Sequence, residues 1–396
     1  MNSASRVIRY VNAAHFIDHY AMLIFAAAVV IMGPALGMAY SDLLPYATPG
    51  FVAFGAGSLV TGWLGDRWSR RHMMVVFFFG IGVAMIAGGL VQTPLQLGTA
   101  LLAIGIFASI YHPVGTAMLV SYADKLGSEM GLNGVWGNLG VASSALVTGV
   151  IGQFLGWRWA FVLPGLVTIG IGVVFMRSVV HEDRTGTRQA AAQVRVAKSE
   201  MWRVLLALLV VVIAISTTFN AITVALPKLF AERLADLTQS PALLGLIAAG
   251  VYVFGALTQY TIGKLIDRHS LKTVFMPMSV LLAPLLYAAS MLNDWALIIV
   301  SIGIVIGLFG QITINDSMVG KYTVEEWRSR AFAVRYFVGF TAAGASVGLV
   351  AWLYGLGGFS LMLQAFAGLC VLVVIAALIL PRETPVPAPA LQASAT

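Results

Sequence analysis

The sequence predicts an all-α integral membrane protein with twelve transmembrane helices in two six-helix bundles. Three observations support this fold class: the composition, a series of long apolar segments, and a charged turn that occurs twice. Of the 396 residues, 59% are hydrophobic and only 10% are charged, whereas soluble domains carry roughly 25% charged residues. A chain of this composition cannot cover a water-facing surface, so we expect it to lie in a bilayer.

Twelve segments are long enough to cross a bilayer, which takes about 20 mostly apolar residues. Many of them contain Gly or Pro, which indicates packed and bent helices rather than isolated anchors. The predicted spans are, approximately, 11–32, 45–65, 72–92, 95–121, 130–153, 158–178, 201–231, 241–265, 271–292, 295–319, 329–354 and 357–380.

One polar stretch and one tail divide the chain. Residues 1–178 are predicted to form the first six-helix bundle and residues 201–381 the second. Residues 179–200 contain several arginines and are predicted to be a cytoplasmic linker, with an amphipathic segment on the inner leaflet as the alternative. Residues 382–396 are rich in Pro and Ala, and we expect them to be disordered.

The distribution of Lys and Arg predicts the orientation in the membrane. With the N-terminus inside, 20 of the 23 Lys and Arg residues fall on the inner side and 3 on the outer side. Because cytoplasmic loops carry an excess of these residues, both termini are expected in the cytoplasm. The net charge of +7 therefore reflects the orientation in the membrane and does not indicate nucleic-acid binding. The chain has a single cysteine, Cys370, so it cannot form a disulfide within itself.

The charged turn is the most specific pattern in the sequence. The first copy, GWLGDRWSRR at 62–71, follows the predicted second span, and the second copy, GKLIDRHSLK at 263–272, lies 201 residues later. In each copy a glycine precedes an Asp-Arg pair by four positions, and a cation stands five positions after the Asp. Two copies in equivalent gaps indicate an internal repeat and therefore two related halves.

These turns resemble the loop signature of the major facilitator superfamily, and the resemblance covers essentially the whole chain. The family pattern usually has a glycine where this chain has Ser69 and Ser270. The resemblance implies two bundles that rock about a central site and give alternating access. It also implies that each charged turn is a conformational latch, which contacts a neighbouring helix at the inner surface in one state of the transporter. The alternative is that the turns are solvated and only set the orientation in the membrane. The latch residues would be Gly62, Asp66, Arg67, Arg71, Gly263, Asp267, Arg268 and Lys272.

Two shorter stretches resemble the fosmidomycin-resistance branch of bacterial efflux proteins. They are SIYHP at 109–113 and WGNLG at 136–140. The resemblance implies an exporter in the inner membrane of a bacterium, with a monomer as the family default. Drug antiporters normally carry a Gly-Pro pair in the fifth span, where this chain has Ser-Ser-Ala at 143–145.

Polar and titratable side chains share one stripe of the first span. Asn12, His15, Asp18, His19 and Met22 lie on one helical face because they are spaced by three or four residues. A carboxylate and two imidazoles are costly inside a membrane unless they face a cavity or partners. Asp18 is therefore the leading candidate for proton coupling or substrate binding, and a structural role near the inner end of the helix is the alternative.

Further polar residues occur in later spans. His112 precedes Pro113, so its imidazole could bond to the backbone carbonyl that the proline frees or exchange protons at cellular pH. Amides in membrane helices are often contacts between helices, but spans one, four, seven and ten line the cavity in the family. Arg335 lies about two turns inside span eleven and either faces the cavity or extends to the inner surface. The remaining candidates are Asn133, Asn138, Asn220, Gln311, Asn315 and Asp316.

The leading functional hypothesis is a proton-coupled secondary transporter of a small organic solute. Export is the favoured direction of transport. The alternative is a divalent metal-ion transporter with His15, Asp18, His19 and His112 as ligands. An intramembrane enzyme and a receptor or structural role are the other classes, but no Walker loop, G-x-S-x-G or H-E-x-x-H motif occurs in the sequence. The predicted partners are a small solute, protons and the lipid bilayer, without a cofactor or nucleic acid.

Overall fold

A computed structural model describes residues 3–123, 126–179, 201–322 and 325–380, and every regular element in these ranges is helical. The predicted linker beyond residue 179 and the predicted disordered tail lie outside the described residues. Eleven helices of the described part are long and apolar enough to cross a membrane. The prediction of an all-α membrane protein is confirmed.

The first ten spans are separate helices. They are α1 (Ser3–Leu36), α2 (Thr48–Arg67), α3 (Arg70–Leu90), α4 (Pro94–Tyr122), α5 (Leu126–Leu155), α6 (Trp157–Ser178), α7 (Met201–Arg233), α8 (Pro241–Arg268), α9 (Leu271–Ala289) and α10 (Asp294–Tyr322). Two short helical segments, Tyr40–Leu43 and Leu44–Ala47, connect α1 to α2. Several helices extend beyond the predicted boundaries, because helix geometry continues past the apolar stretch from which a span is predicted.

The last helix explains why eleven spans are found where twelve were predicted. Glu325–Ile379 has 55 residues, which at 1.5 Å per residue would reach about 80 Å, far beyond the roughly 30 Å of a bilayer core. It is broken at Gly357 (φ −158, ψ 24) and Gly358 (φ 63, ψ −163). The second pair of angles is accessible mainly to glycine. We number the two parts α11 (325–356) and α12 (359–379), and they correspond to the last two predicted spans.

The two halves make equivalent contacts through the last cation of each charged turn. Arg71 donates from Nη2 to the carbonyl of Met176 at the end of α6, at 2.8 Å. Lys272 donates from Nζ to the carbonyl of Leu378 at the end of α12, at 2.9 Å. Carbonyls in the last turn of a helix lack an intrahelical partner and carry partial negative charge, so a cation stabilises them. The repeat inferred from the sequence therefore corresponds to a repeated structural contact.

We call the end of the molecule that holds Arg71 and Lys272 the basic end. The two bundles are packed together at the opposite end. A Cβ placed on Gly55 of α2 would lie 2.6 Å from the Cβ of Phe340 of α11, and one on Gly245 of α8 would lie 3.0 Å from the carbonyl carbon of Ala145 of α5. Only glycine allows helices to approach so closely. Both contacts lie in the halves of α2 and α8 that point away from the basic end, so the bundles are closed at the far end.

Helix α4 contains one turn of π-helix, Tyr111–Gly115, around Pro113. Proline has no N–H and cannot donate to the carbonyl of Ser109, four residues earlier. Thr61 of α2 donates to that carbonyl from Oγ1 at 2.8 Å. The freed carbonyl is therefore satisfied by Thr61 and not by His112, which leaves the imidazole available for other partners.

The contact between Thr61 and Ser109 gives a testable stability prediction. Thr61→Val keeps the side-chain shape but leaves a buried carbonyl without its donor, which we expect to lower the free energy of unfolding by about 1–2 kcal/mol. Thermal unfolding in detergent measures this change. Thr61→Ser retains the hydroxyl and is the matched control, so equal melting temperatures for the two variants would contradict the assignment.

Candidate functional site

Asn133 of α5 connects three side chains from α1 and α4. Its amide donates from Nδ2 to Asn12 Oδ1 at 2.8 Å, and its Oδ1 accepts from the hydroxyl of Tyr111 at 3.0 Å. Its backbone carbonyl lies 2.7 Å from Nδ1 of His15. Since a carbonyl only accepts hydrogen bonds, the Nδ1 atom of His15 carries the proton and the Nε2 lone pair of the neutral ring is left facing elsewhere.

Three imidazoles from α1 and α4 lie next to this connection. The Nε2 atoms of His15 and His19 are 3.1 Å apart. The ring centroid of His112 lies 5.5 Å from that of His15 and 5.7 Å from that of His19. One nitrogen from each ring lies within 4.8 Å of the other two. His15 and His19 are within hydrogen-bond distance of each other, and the three rings together could hold an ion.

Asp18 lies next to His112 and is fully buried, with 0% of its surface exposed. Neither of its carboxylate oxygens has a hydrogen-bond partner among the described residues. Its Oδ2 atom lies 3.5 Å from Nε2 of His112, whose side chain is 23% exposed. A buried carboxylate is costly in its charged form unless a cation compensates it, so the charge state of Asp18 depends on that of His112.

The second bundle contributes a charged pair. Nη2 of Arg335, in α11, lies 2.6 Å from Oδ1 of Asp316, in α10, and the side chains are 14% and 38% exposed. The guanidinium also lies over the ring of Tyr336, 4.6 Å from its centroid. Arg335 therefore pairs with Asp316 inside the bundle, and this contact decides between the two positions that the sequence left open for Arg335.

An aromatic contact across the bundle interface lies between the Asp18–His112 pair of the first bundle and the Arg335–Asp316 pair of the second. Phe340 of α11 lies 5.3 Å from the ring of His112 and 4.9 Å from that of Phe54, measured between centroids. On its other side it stacks on Tyr336 at 5.7 Å. The titratable groups of the first bundle and the charged pair of the second thus lie on either side of one interhelical contact between α4 and α11.

Two of the predicted amides are contacts between helices. Asn138 of α5 donates from Nδ2 to Gln259 Oε1 of α8 at 2.6 Å, across the bundle interface. Asn220 of α7 donates from Nδ2 to the carbonyl of Ala343 at 2.7 Å and to the hydroxyl of Ser346 at 3.0 Å, both in α11. Asn138 therefore belongs to the contact between the bundles, whereas Asn220 holds α7 and α11 together within the second.

The amides of α10 are buried one turn apart. Gln311 donates from Nε2 to the hydroxyl of Ser279 in α9 at 3.0 Å, so this end of its side chain connects α10 to α9. Its Oε1 atom and Oδ1 of Asn315 have no hydrogen-bond partner among the described residues. Of the three polar candidates in α10, only Asp316 is paired with a residue close to the histidine cluster.

The first charged turn makes contacts within its own bundle. Asp66 accepts from Arg70 at 3.2 Å, and Arg67 lies over the ring of Trp63 at 4.8 Å. A Cβ on Gly62 would lie 3.1 Å from Cβ of Pro113, so this glycine allows α2 to approach α4.

The second charged turn is only partly described. Among the described residues, a Cβ on Gly263 would meet nothing within 4 Å. Arg268 ends α8 and is exposed, and the side chain of Asp267 lies outside the described residues. The latch remains a prediction.

Three residues of the site were not selected from the sequence as functional. Tyr111 is adjacent to His112, and a hydroxyl in the middle of a span is a signal that could have identified it. Arg335 was the one cation well inside a predicted span, which is costly without a partner. Phe340 carried no signal, because an aromatic residue in an apolar helix is indistinguishable from a lipid-facing one until the neighbouring helices are placed.

Comparison with known proteins identifies the family. The sequence model described as Major Facilitator Superfamily matches residues 11–235 and again residues 208–395. Among solved structures, the chain is similar to a bacterial homolog of the human lysosomal transporter Spinster in an inward-facing, unoccupied conformation. The TM-score is 0.76 over 96% of both chains, at 12% sequence identity, which is a likeness of fold.

Relatives with known names match shorter regions. A puromycin resistance protein from Streptomyces alboniger is 28% identical over 38% of this chain and 30% of its own length. A putative glycerol-3-phosphate transporter from Arabidopsis thaliana is 28% identical over 37% of this chain and 31% of its own length. A 4-hydroxybenzoate transporter from Pseudomonas aeruginosa is 26% identical over 44% of this chain and 43% of its own length. The matches thus span less than a third of the first two relatives.

The names of these relatives cover a drug, a sugar-derived phosphate and an aromatic acid, and the fosmidomycin-resistance branch remains a prediction. The family model matches both halves of the sequence, in agreement with the repeated turn and with the equivalent contacts of Arg71 and Lys272. The chain belongs to the major facilitator superfamily.

Proposed function

We propose that this protein is a proton-coupled secondary transporter that exports a small organic solute by alternating access. The observation that carries the proposal is the position of Asp18. It is a fully buried carboxylate, without a hydrogen bond from any described residue, 3.5 Å from an imidazole at the contact between the two bundles. A group that is costly in one charge state and lies between two moving bodies is suited to link proton binding to their motion.

The proton reaches Asp18 through His112. Asp18 is fully buried, whereas His112 is partly exposed and its ring contacts both Phe54 and Phe340. Protons from the space between the bundles therefore meet the imidazole before the carboxylate. The His15–His19 pair, whose Nε2 atoms are 3.1 Å apart, offers a further position for the same proton.

Coupling to the second bundle is electrostatic. Arg335 carries a permanent charge that Asp316 compensates at 2.6 Å, and it lies two aromatic rings away from His112, through Tyr336 and Phe340. Adding a proton to the His112–Asp18 pair raises the positive charge that faces Arg335. Because charges interact strongly at low dielectric, this addition changes the relative stability of the closed and open arrangements of α4 and α11.

The solute class and direction rest on resemblance. The named relatives handle small organic molecules or confer resistance to one, and resistance together with the stretches at 109–113 and 136–140 favours export. The distribution of Lys and Arg supports both termini in the cytoplasm. The inner membrane of a bacterium and a monomeric state are proposed from the resemblance to the efflux branch and from the family default. The relatives named here give no support to a metal-ion transporter or to an enzyme.

Substitution of Asp18 tests the coupling. Asp18→Asn cannot carry the proton, so transport driven by a pH gradient is expected to fall at least about tenfold, while exchange of solute without a gradient continues. The measurement uses proteoliposomes with puromycin, 4-hydroxybenzoate and glycerol 3-phosphate as probes. Asp42→Asn, at an exposed carboxylate in the connection between α1 and α2, is the control. A wild-type response to the gradient in Asp18→Asn would refute the assignment.

A double-mutant cycle tests the charged pair of the second bundle. Arg335→Gln and Asp316→Asn each leave one charge without its partner, whereas the double variant removes both. We expect the double variant to be more stable than the sum of the single losses predicts, with a coupling of about 1 kcal/mol, because the 38% exposure of Asp316 screens the pair by water. Thermal unfolding of the four proteins gives the coupling, and additive losses would show that the pair is not formed.

A further inference from the structure

We propose that His15, His19 and His112 form a binding site for a divalent transition-metal ion such as Zn²⁺, with Asp18 as the anionic group that balances its charge. The ion is proposed as a ligand that blocks the site, and not as the transported solute. Its binding does not depend on the transport activity proposed above.

The separation of the donor atoms fits such an ion. His15 and His19 are four residues apart on α1, and their Nε2 atoms lie 3.1 Å from each other. Two imidazole nitrogens on one tetrahedral Zn²⁺, at about 2.0–2.1 Å from the metal, are roughly 3.3 Å apart. The third donor, His112, has a nitrogen within 4.8 Å of the other two, and its ring would have to move closer to share one ion with them.

The lone pair of His15 is already directed into the cluster. The bond from its Nδ1 to the carbonyl of Asn133, at 2.7 Å, fixes the tautomer in which Nε2 carries the lone pair. That lone pair faces Nε2 of His19 at 3.1 Å, and an ion bound by the two nitrogens would replace this contact. Metal-binding histidines usually donate their other nitrogen to a carbonyl or carboxylate in this way. Asn133 is itself held by Asn12 and Tyr111, so the ring orientation is set before any ion arrives.

Asp18 and His112 supply the remaining evidence for an ion. Both oxygens of Asp18 and the Nε2 atom of His112 are buried without a hydrogen-bond partner among the described residues. A buried dication needs nearby negative charge, and the carboxylate lies 3.5 Å from His112. Three imidazoles with one carboxylate favour Zn²⁺, Co²⁺, Ni²⁺ or Cu²⁺ over Mg²⁺ and Ca²⁺, which prefer oxygen ligands.

The same donors explain why the ion would inhibit. Coordination occupies the nitrogen lone pairs through which the proton is proposed to reach Asp18, and it holds α1 and α4 together. This consequence, unlike the binding itself, rests on the proposed function. Zn²⁺ is therefore expected to slow proton-driven transport of a probe solute in wild-type protein.

Calorimetric titration of the full-length protein, purified without a histidine tag, tests the binding with Zn²⁺ and Mg²⁺. We expect one Zn²⁺ site, little binding of Mg²⁺, and a loss of Zn²⁺ affinity of more than about tenfold in His15→Gln and in His19→Gln, since even the hydrogen-bond partners of metal ligands contribute roughly 10–100-fold. His269→Gln, at an exposed histidine at the end of α8, is the matched control and should bind like wild type.

The Co²⁺ absorption spectrum of wild-type protein keeps the test independent of variant folding. A tetrahedral spectrum that Zn²⁺ displaces supports the site. The site would be overturned if wild-type protein did not bind Zn²⁺ or gave an octahedral Co²⁺ spectrum. It would also be overturned if His19→Gln bound Zn²⁺ as tightly as wild type, or if His269→Gln lost as much Zn²⁺ affinity as His19→Gln. Zn²⁺ binding together with failure of every transport assay would contradict the proposed function and leave the metal site standing, and transport without Zn²⁺ binding would do the reverse.

Discussion

The buried contact between Asp18 and His112 is the interaction on which the rest of this site depends. A carboxylate with 0% exposure and no hydrogen bond from the described residues is tolerated only if its charge is removed or compensated. The imidazole of His112, 3.5 Å away, can do this by changing its own charge state. In the proposed function, this pair is the group whose protonation changes at the interface between the two halves.

The two halves share an architecture but differ in their chemistry. Two sets of contacts follow the repeat closely. At the end away from the basic end, α2 packs on α11 and α5 packs on α8, and at the basic end a cation caps α6 in one half and α12 in the other. The polar side chains do not. The first bundle holds histidines and one carboxylate, whose charges can change, whereas the second holds a compensated Arg335–Asp316 pair. Under the proposed function, a proton bound in the first bundle would bias the motion without disturbing the packing contacts that both halves share.

The sequence predicted the helical class, the repeat and the stripe on α1 because composition and spacing report these directly. It also predicted the last two spans as separate, and the last helix is broken at Gly357 and Gly358, close to the predicted boundary between them. It placed His112 and Asp18 among the candidates without placing them in contact, and it could not find Thr61 as the donor for the carbonyl freed by Pro113. These are contacts between spans, and helical periodicity holds no information on which faces of different spans meet.

The distance between the bundles at the basic end, measured as a function of pH, tests the central claim most directly. Spin labels on His72→Cys and Lys264→Cys, at exposed positions near the basic ends of α3 and α8, are read by pulsed electron resonance in a Cys370→Ser background. The account predicts that acidification shifts the distance distribution between two populations and that Asp18→Asn abolishes this shift. A distribution that is the same at every pH, or a shift that persists in Asp18→Asn, would contradict it.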